Sequence, residues 1–169
     1  MEGSATGAGL DEIEAVYRRR LSEFRRVAAA IIGSREAGDD AVQDAFANAV
    51  HRRDQFRGEG TLEAWLWRIV VHAARDAGAR VARPSSMPFD EELGTTAATQ
   101  GGTSHESADV HALLAELPER QRHALFLRYY ADLEYGTIGE ALEISGGTVG
   151  ATLNQARENL RRLMVGVKL

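Results

Sequence analysis

The sequence LPERQR at residues 117–122 begins the stretch that decides the fold. An apolar helical pattern follows it to Tyr129, and YGTIGEAL at 135–142 predicts the next short helix. A brief turn leads into SGGTV at 145–149, from which a last apolar pattern runs to Leu163. Two short helices joined by a tight turn are typical of a helix-turn-helix, whose second helix can enter the major groove of DNA. This end of the chain therefore predicts DNA binding and, with it, a part in transcription.

The composition fits a folded chain without disulfides or a membrane segment. The 169 residues have room for one ordinary domain or two small ones, and a hydrophobic content of 44% is enough for packed cores. Cysteine is absent, which excludes disulfides and cysteine-ligated zinc. No apolar run approaches the roughly 18–20 residues that span a bilayer, and the N-terminus lacks the pattern of a signal peptide. We therefore expect a cytoplasmic protein with no membrane insertion.

The charge is distributed unevenly along the chain. The net charge is −5, whereas an autonomous DNA-binding protein usually carries a basic surface. Residues 17–80 contain twelve Arg and nine acids, a net of +3, and residues 109–169 contain seven bases and eight acids, a net of −1. A weakly charged protein gains little affinity from counterion release. If the chain acts on DNA, another component is expected to supply much of the affinity.

The apolar periodicity is helical throughout and predicts an all-α protein of two small helical domains joined by a flexible acidic linker. The linker contains Pro84, Pro88 and the acidic run 90–92, and it keeps no helical period. The predicted boundaries are a flexible N-terminus at 1–9, a first domain at 10–80, the linker at 81–108 and a second, helix-turn-helix domain at 109–169.

The first domain is predicted to contain helices over 10–32, 37–53 and 62–80. Gly33 can end the first helix, and Ser34 and Thr61 can cap the second and the third. Phe46 is expected in the core. The inward stripe of the third helix is predicted to consist of Leu62, Trp65, Leu66, Ile69, Val70, Ala73 and Ala77. Trp67 lies off this stripe, where it can stack on a base or pack under the linker.

Two sets of polar side chains are candidates for contacts with nucleic acid. Arg68, His72 and Arg75 lie on one side of the third helix and can hold phosphates or a melted strand; the alternative is a solvated basic face paired with Asp76 or Glu63. In the last helix, Val149, Leu153, Ala156 and Leu160 are expected to face the core. The residues left toward a groove are Gly147, Thr148, Ala151, Thr152, Asn154 and Gln155. Asn154 or Gln155 can pair with adenine.

Three stretches together resemble the sigma-70 family of bacterial transcription initiation factors, and most closely its extracytoplasmic-function group. DDAVQDAF at 39–46 is similar to the polymerase-binding helix of that family. FRGEG at 56–60, with WLWRI at 65–69, is similar to the loop and helix that open promoter DNA. LPERQR at 117–122, with GTV at 147–149, is similar to its helix-turn-helix domain. The order and spacing of the three stretches make the resemblance specific.

The resemblance implies a transcription initiation factor that brings core RNA polymerase to promoter DNA. The first domain would recognise and melt the minus-ten element, the second would contact the minus-thirty-five element, and the linker would lie near the active-site cleft or the RNA exit path. An anti-sigma factor is an expected partner. The implied polymerase-binding residues are Asp40, Gln43, Asp44, Asn48 and Arg52. The implied minus-ten residues are Arg57, Gly58, Glu59, Gly60, Arg68, His72 and Arg75.

The last helix departs from the family pattern. Relatives carry Lys or Arg around the positions of Gly150, Thr152 and Gln155, so contact with phosphates would fall to Arg120, Arg122 and Arg157. This departure motivates one alternative, a sigma-like decoy or adaptor that binds polymerase or a regulator with weakened upstream DNA recognition. A stand-alone activator that uses the same helix-turn-helix is a further alternative, against which the long matching first domain counts. The five His are scattered, and no catalytic motif is present, so neither a metal site, a cofactor nor an enzyme is expected.

Overall fold

Seven α-helices and one short 3-10 helix make up the part of the chain that the computed structural model describes, residues 7–82 and 105–167. These residues contain no strand, which confirms the all-α prediction. The helices are α1 Leu10–Ile32, α2 Arg35–His51, α3 Leu62–Ala82, α4 His105–Ala115, α5 Glu119–Tyr129, α6 Tyr135–Leu142 and α7 Gly146–Val167, with the 3-10 helix at Arg53–Gln55. We call α1–α3 the first helical unit and α4–α7 the second.

The predicted helix ends are set by the expected capping residues. Gly33 ends α1 in the left-handed region at φ 83°, and the Ser34 Oγ accepts a hydrogen bond of 3.3 Å from the Ala37 N–H at the start of α2. The Thr61 Oγ1 accepts a hydrogen bond of 3.1 Å from the Ala64 N–H. Both ends of the predicted linker are helical, because α3 continues to Ala82 and α4 begins at His105. The rest of the linker, with its prolines and acidic run, lies outside the described residues.

The core of the first unit corrects the prediction for the two tryptophans. Trp67 is fully buried and its ring lies 4.2 Å from that of Phe24, which in turn contacts the ring of Phe46 at 5.1 Å. Trp65 is only half-buried and packs against Phe56 at 5.6 Å. The prediction of one inward apolar stripe on the third helix is wrong because α3 packs against three helices, α1, α2 and α6. A helix with three neighbours buries a wider arc than one apolar stripe.

Gly38 allows α1 and α2 to cross closely. A Cβ atom at this buried position would lie 2.6 Å from the Ala29 N and 2.8 Å from its Cα, both of them backbone atoms that cannot rotate away. We expect Gly38→Ala to destabilise the protein by about 1–3 kcal/mol, because overpacking outweighs the gain of roughly 1 kcal/mol in helix propensity. The free energy of unfolding, measured by urea denaturation with circular dichroism, checks this value.

Gly78→Ala is the matched control for that measurement. Gly78 also lies inside a helix, but the nearest atom to its added Cβ is the Ile31 carbonyl oxygen at 3.8 Å, an ordinary contact. The control is expected to be neutral or more stable by up to about 1 kcal/mol. Equal stability of the two variants would contradict the close crossing.

The second unit has the connectivity of a helix-turn-helix. Ile138 of α6 and Val149 and Leu153 of α7 are fully buried in one core with α5. The turn between α6 and α7 begins at Glu143, in the left-handed region at φ 58°, and the Ile144 N–H donates to the Gly139 carbonyl at 2.9 Å. The Ser145 Oγ then caps α7 by accepting from the Thr148 N–H at 3.2 Å. These contacts fix the angle at which α7 leaves the turn.

Candidate nucleic-acid and polymerase interfaces

One side of α2 carries polar side chains that point away from the core. The five residues expected to bind polymerase are all exposed: Asp40, Gln43, Asp44, Asn48 and Arg52. All of them except Gln43 line a groove between α2 and α3, whose floor includes the half-buried Trp65, Ile69 and Ala73. Neither Asp40, Asp44 nor Asn48 uses its side chain in a hydrogen bond or ion pair with another described residue. Polar side chains around an apolar floor are the usual composition of a protein interface.

The loop before α3 places two glycines in backbone conformations that other residues avoid. Gly58 has φ 73° and Gly60 has φ 83°, both in the left-handed region. The neighbouring Arg57 and Glu59 are exposed. The loop therefore presents its backbone and two charged side chains at the N-terminal end of α3, next to Arg68.

The basic residues of α3 lie on one side, as predicted, but two of them pair with the second unit. The Arg75 Nε donates to the Glu119 Oε1 at 2.7 Å, and the His72 Nε2 lies 3.3 Å from the Glu143 Oε2. The alternative expected from sequence is wrong for Glu63, which pairs instead with Arg19 at 3.0 Å and with Arg20 at 2.9 Å of α1. These contacts could not be predicted from the sequence because they join helices that are far apart in the chain.

Glu119 belongs to a small group of titratable side chains at this contact. Burial alone would raise its pKa, but the hydrogen bond and the charge of Arg75 outweigh that effect, and the net pKa is lowered. His123, one turn further along α5, is 3% exposed and its Nδ1 lies 3.9 Å from the same Glu119 oxygen. Burial lowers the pKa of His123 to about 4; Glu119 opposes this shift, and Arg122 and Arg75 add to it.

The low pKa of His123 predicts loss of stability in mild acid. The unfolded chain binds a proton on this residue near pH 6.5 and the folded chain only near pH 4, so the unfolded state holds more protons between those values. Stability therefore falls as the pH falls through this window. We expect the free energy of unfolding in urea to be about 2 kcal/mol lower at pH 5 than at pH 7 because of this residue.

Replacing His123 by Leu should flatten that pH dependence, whereas His111→Leu, at an exposed position on α4, should leave it unchanged. The same slope in His123→Leu and the wild-type protein would show that another group carries the effect.

The exposed face of α7 is smaller than predicted. Gly147, Thr148, Ala151, Asn154 and Gln155 are exposed, as expected for a recognition helix. Thr152 is only 9% exposed, which corrects the prediction that it faces a groove. It lies three residues after Val149 and one before Leu153, so the buried arc of α7 is wide enough to include it.

Arg157 is held in place on the exposed side of α7. Its Nε donates to the Tyr129 Oη at 2.9 Å, its Nη1 donates to the Asn154 Oδ1 at 3.1 Å, and the guanidinium carbon lies 5.8 Å from the centre of the Tyr129 ring. The hydrogen bond that Arg157 donates to the Tyr129 hydroxyl raises the pKa of Arg157. Tyr129 is not among the site residues expected from the sequence, although an exposed aromatic residue at the end of a helix is a usable signal.

The other two arginines proposed for phosphate contact differ in their surroundings. Arg120 is exposed at the start of α5. The guanidinium of Arg122 donates to the carbonyl oxygens of Ala115 at 3.2 Å and Leu117 at 3.3 Å, and so holds the turn between α4 and α5.

Comparison with known proteins identifies the family. The sigma-70 region 2 model matches residues 16–83, and the sigma-70 region 4 model matches residues 107–160. The extracytoplasmic-function sigma-E factor of Escherichia coli K12 is 31% identical over 132 residues, which cover 70% of this chain and 69% of that protein. The chain is a sigma-70 family factor of the extracytoplasmic-function group. Sigma factors of this family are DNA-binding transcription initiation factors and not enzymes, and this sigma factor shares that role.

Further comparisons agree with this assignment. The sigma factor YlaC of Bacillus subtilis is 26% identical over 160 residues, 91% of this sigma factor and 92% of YlaC. The fold resembles that of CnrH in complex with the cytosolic domain of CnrY, with a TM-score of 0.69, 21% identity and coverage of 94% and 91%. It also resembles that of the sigma factor RpoE with the anti-sigma factor NepR from Bartonella quintana, with a TM-score of 0.64, 22% identity and coverage of 92% and 98%. Within the described ranges, no helix of this sigma factor is long and apolar enough to span a membrane.

Proposed function

We propose that this sigma factor binds core RNA polymerase through the groove side of α2, melts the minus-ten element with the loop 57–60 and α3, and contacts the minus-thirty-five element through α7. The arrangement of the first unit supports this proposal most directly. Helix α3 lines the groove proposed for polymerase and also begins at the glycine loop proposed for DNA, so one rigid helix connects the two surfaces.

The polymerase contact is supported by the chemistry of the groove. Asp40, Asp44 and Asn48 form one polar edge at successive helical turns, and Trp65 and Ile69 supply apolar surface beside them. An incoming helix of polymerase could bury the apolar floor while its polar groups pair with this edge. Because the edge side chains make no bond with other described residues, binding does not first require an internal contact to break.

The minus-ten role is supported by the loop and by the basic side of α3. Unstacking a base costs roughly a few kcal/mol, so a protein that extrudes one must offer compensating contacts. The left-handed glycines expose loop N–H and C=O groups to such a base, and Arg57 can reach a phosphate. Arg68 lies beside the loop, where it can hold the melted strand.

The minus-thirty-five role depends on few side chains. Tyr129 and Asn154 fix the guanidinium of Arg157, so a phosphate contact by that group loses little side-chain entropy. Asn154 and Gln155 remain exposed for base contacts. Because the net charge of this sigma factor is −5, we expect RNA polymerase to supply most of the remaining contacts with DNA.

A sigma-like decoy or adaptor is the second candidate function. It is favoured by the first two turns of α7, where the exposed residues Gly147, Thr148 and Ala151 carry no positive charge and Thr152 is buried. Such a protein would bind polymerase or a regulator without reading the upstream element. An anti-sigma factor is a proposed partner in either case, because two proteins of similar fold form complexes with other proteins: RpoE with the anti-sigma factor NepR, and CnrH with the cytosolic domain of CnrY.

Reconstituted transcription separates these functions. Core polymerase from the host is mixed with the purified chain and fragmented host DNA, and the 5′ ends of the transcripts are sequenced; a parallel pull-down measures polymerase binding. We expect both stable binding and RNA that starts at a common sequence. Binding without defined start sites would favour the decoy, and absence of binding would contradict both functions. The start sites also supply the promoter used below.

Arg157→Ala is expected to lower transcription from that promoter about tenfold, since a charge-assisted contact is worth roughly 1.5–3 kcal/mol. Tyr129→Phe keeps the ring but loses the hydroxyl that accepts from Arg157, so a smaller loss is expected. Arg161→Ala, which removes an arginine paired with Glu158 further along α7, is the control. An unchanged rate in Arg157→Ala would show that the guanidinium does not contact the promoter.

A further inference from the structure

Helix α7 carries three side-chain amides, and two of them are held by contacts within the protein. The Asn154 Oδ1 accepts a hydrogen bond of 3.1 Å from the Arg157 Nη1. The Asn159 Nδ2 donates to the Gln121 Oε1 at 2.8 Å. Gln155 is exposed, and its amide makes no hydrogen bond with another described residue. Its donor and its acceptor are therefore both available to a ligand.

The other polar groups at the start of α7 are already in use. The hydroxyl oxygens of Ser145 and Thr148 lie 2.7 Å apart and share a hydrogen bond, and the Ser145 Oγ also caps the helix. Thr148 lies seven residues before Gln155 and Ala151 lies four before it, so the three side chains share one face of the helix. Because Ala151 has no polar side-chain group and the Thr148 hydroxyl is bonded to the cap, base reading on this face falls to Gln155.

A free primary amide matches the edge that adenine presents in the major groove. The amide N–H donates to the adenine N7, and the amide oxygen accepts from the adenine N6 amino group. Asn154 can form the same pair only by turning its oxygen away from Arg157, which breaks a charge-assisted hydrogen bond. Gln155 forms it without breaking any contact among the described residues.

Guanine has no matching partner on this helix. Arginine is the side chain that most often reads guanine, through two hydrogen bonds to its O6 and N7, but residues 143–156 contain neither Arg nor Lys. The next cation, Arg157, donates its Nε to the Tyr129 hydroxyl at 2.9 Å and its Nη1 to Asn154. A two-point contact of Arg157 with guanine would break at least one of these bonds.

We infer that Gln155 determines promoter specificity by reading one adenine of the upstream element, that Asn154 only positions Arg157, and that α7 reads no guanine there. The inference rests on the proposed contact of α7 with the minus-thirty-five element and adds the identity of the base. Gln155 sets the base preference, whereas Asn154 and Arg157 set the affinity for any sequence. Single substitutions at these neighbouring positions therefore have different expected results.

A promoter library measures the base preference directly. The promoter found with the host polymerase is kept constant except for a randomised upstream element, and each member carries a transcribed barcode that is sequenced in the RNA and in the input DNA. We expect one position at which adenine is enriched about tenfold, the discrimination of one two-point amide contact. Gln155→Ala should remove this enrichment, and Gln155→Arg should replace it by enrichment of guanine at the same position.

Asn154→Ala is the matched control, because it removes the neighbouring exposed amide. It should lower transcription from all members of the library to a similar degree, since it acts through Arg157, and it should leave the preference for adenine unchanged. Circular dichroism confirms that each variant is folded before it is compared. A changed base preference in Asn154→Ala would show that this residue, too, reads a base and would overturn the assignment.

A change of one atom in the DNA tests the contact itself. At the enriched position, 7-deazaadenine keeps the base pair and the N6 amino group but replaces the N7 acceptor with a C–H group. We expect it to lower transcription about fivefold with the wild-type protein and to have no effect with Gln155→Ala. An equal loss with both proteins would contradict the contact between Gln155 and this base.

The outcomes also separate this inference from the proposed function. Upstream enrichment of guanine, or enrichment of adenine that persists in Gln155→Ala, would overturn the inference alone. Transcription without any upstream preference, or no transcription at all, would contradict the proposed function and with it the inference.

Discussion

Replacing Arg57 and Gly58 together by Ala is expected to abolish promoter opening while leaving binding to core polymerase near normal. Gly58 has φ 73°, where a Cβ atom is strained, and Arg57 is the exposed cation of the loop. If the loop supplies the contacts that offset unstacking, a cost of roughly a few kcal/mol, transcription should fall about 100-fold or more. Potassium permanganate footprinting of the promoter and a polymerase pull-down measure the two steps separately.

A matched control exists in the turn between α1 and α2. Gly33 has φ 83° with no atom near its missing side chain, as at Gly58, and Arg35 close to it is exposed. Replacing Gly33 and Arg35 by Ala makes the same chemical changes at the same backbone conformation. This variant should be destabilised to a similar degree yet still open the promoter. Normal opening by the Arg57, Gly58 variant would show that melting depends on other residues.

Replacing Trp67 by Ala is expected to cost about 3–5 kcal/mol of the free energy of unfolding, the largest effect of any single change considered. The ring is fully buried beside Phe24, and its removal leaves a cavity between α1 and α3. Chemical denaturation at neutral pH measures the loss.

Trp65→Ala is the internal control, because this ring is half-buried in the groove beside Phe56. It should cost less than half as much and weaken polymerase binding instead. If the two variants were equally destabilised, the assignment of Trp67 to the core and of Trp65 to the groove would be wrong.

The helices could be predicted from local signals in the sequence. The wrong predictions concern which side chains become buried when the helices pack together. Ser34 and Thr61 mark helix starts because their hydroxyl oxygens can accept a hydrogen bond from an N–H group of the first turn that has no partner within the helix. The positions of Trp65 and Trp67 could not be assigned in the same way, because the helix carrying them has three neighbours. Thr152 was misplaced for a related reason: a threonine is as compatible with a buried arc as with an exposed one.

In the candidate site, too, the residues along one helix could be predicted from the sequence, whereas the contacts between distant helices could not. The polar edge of α2 could be predicted because its members recur at one helical spacing. The contact of Arg75 with Glu119 joins residues 44 positions apart, and the contact of Arg157 with Tyr129 joins residues 28 apart. A single sequence holds no pairing information over such distances, so these contacts become visible only in the folded chain.

Because Glu119 is shared between Arg75 and His123, the contact between α3 and α5 is linked to proton binding. Burial is the main cause of the low pKa of His123, and Arg75 adds to it; Arg75 also lowers the pKa of Glu119 through its hydrogen bond and charge. Loss of the Arg75–Glu119 contact would withdraw that positive charge, and both groups would then hold a proton more readily. By reciprocity of linked equilibria, acidification would weaken this contact.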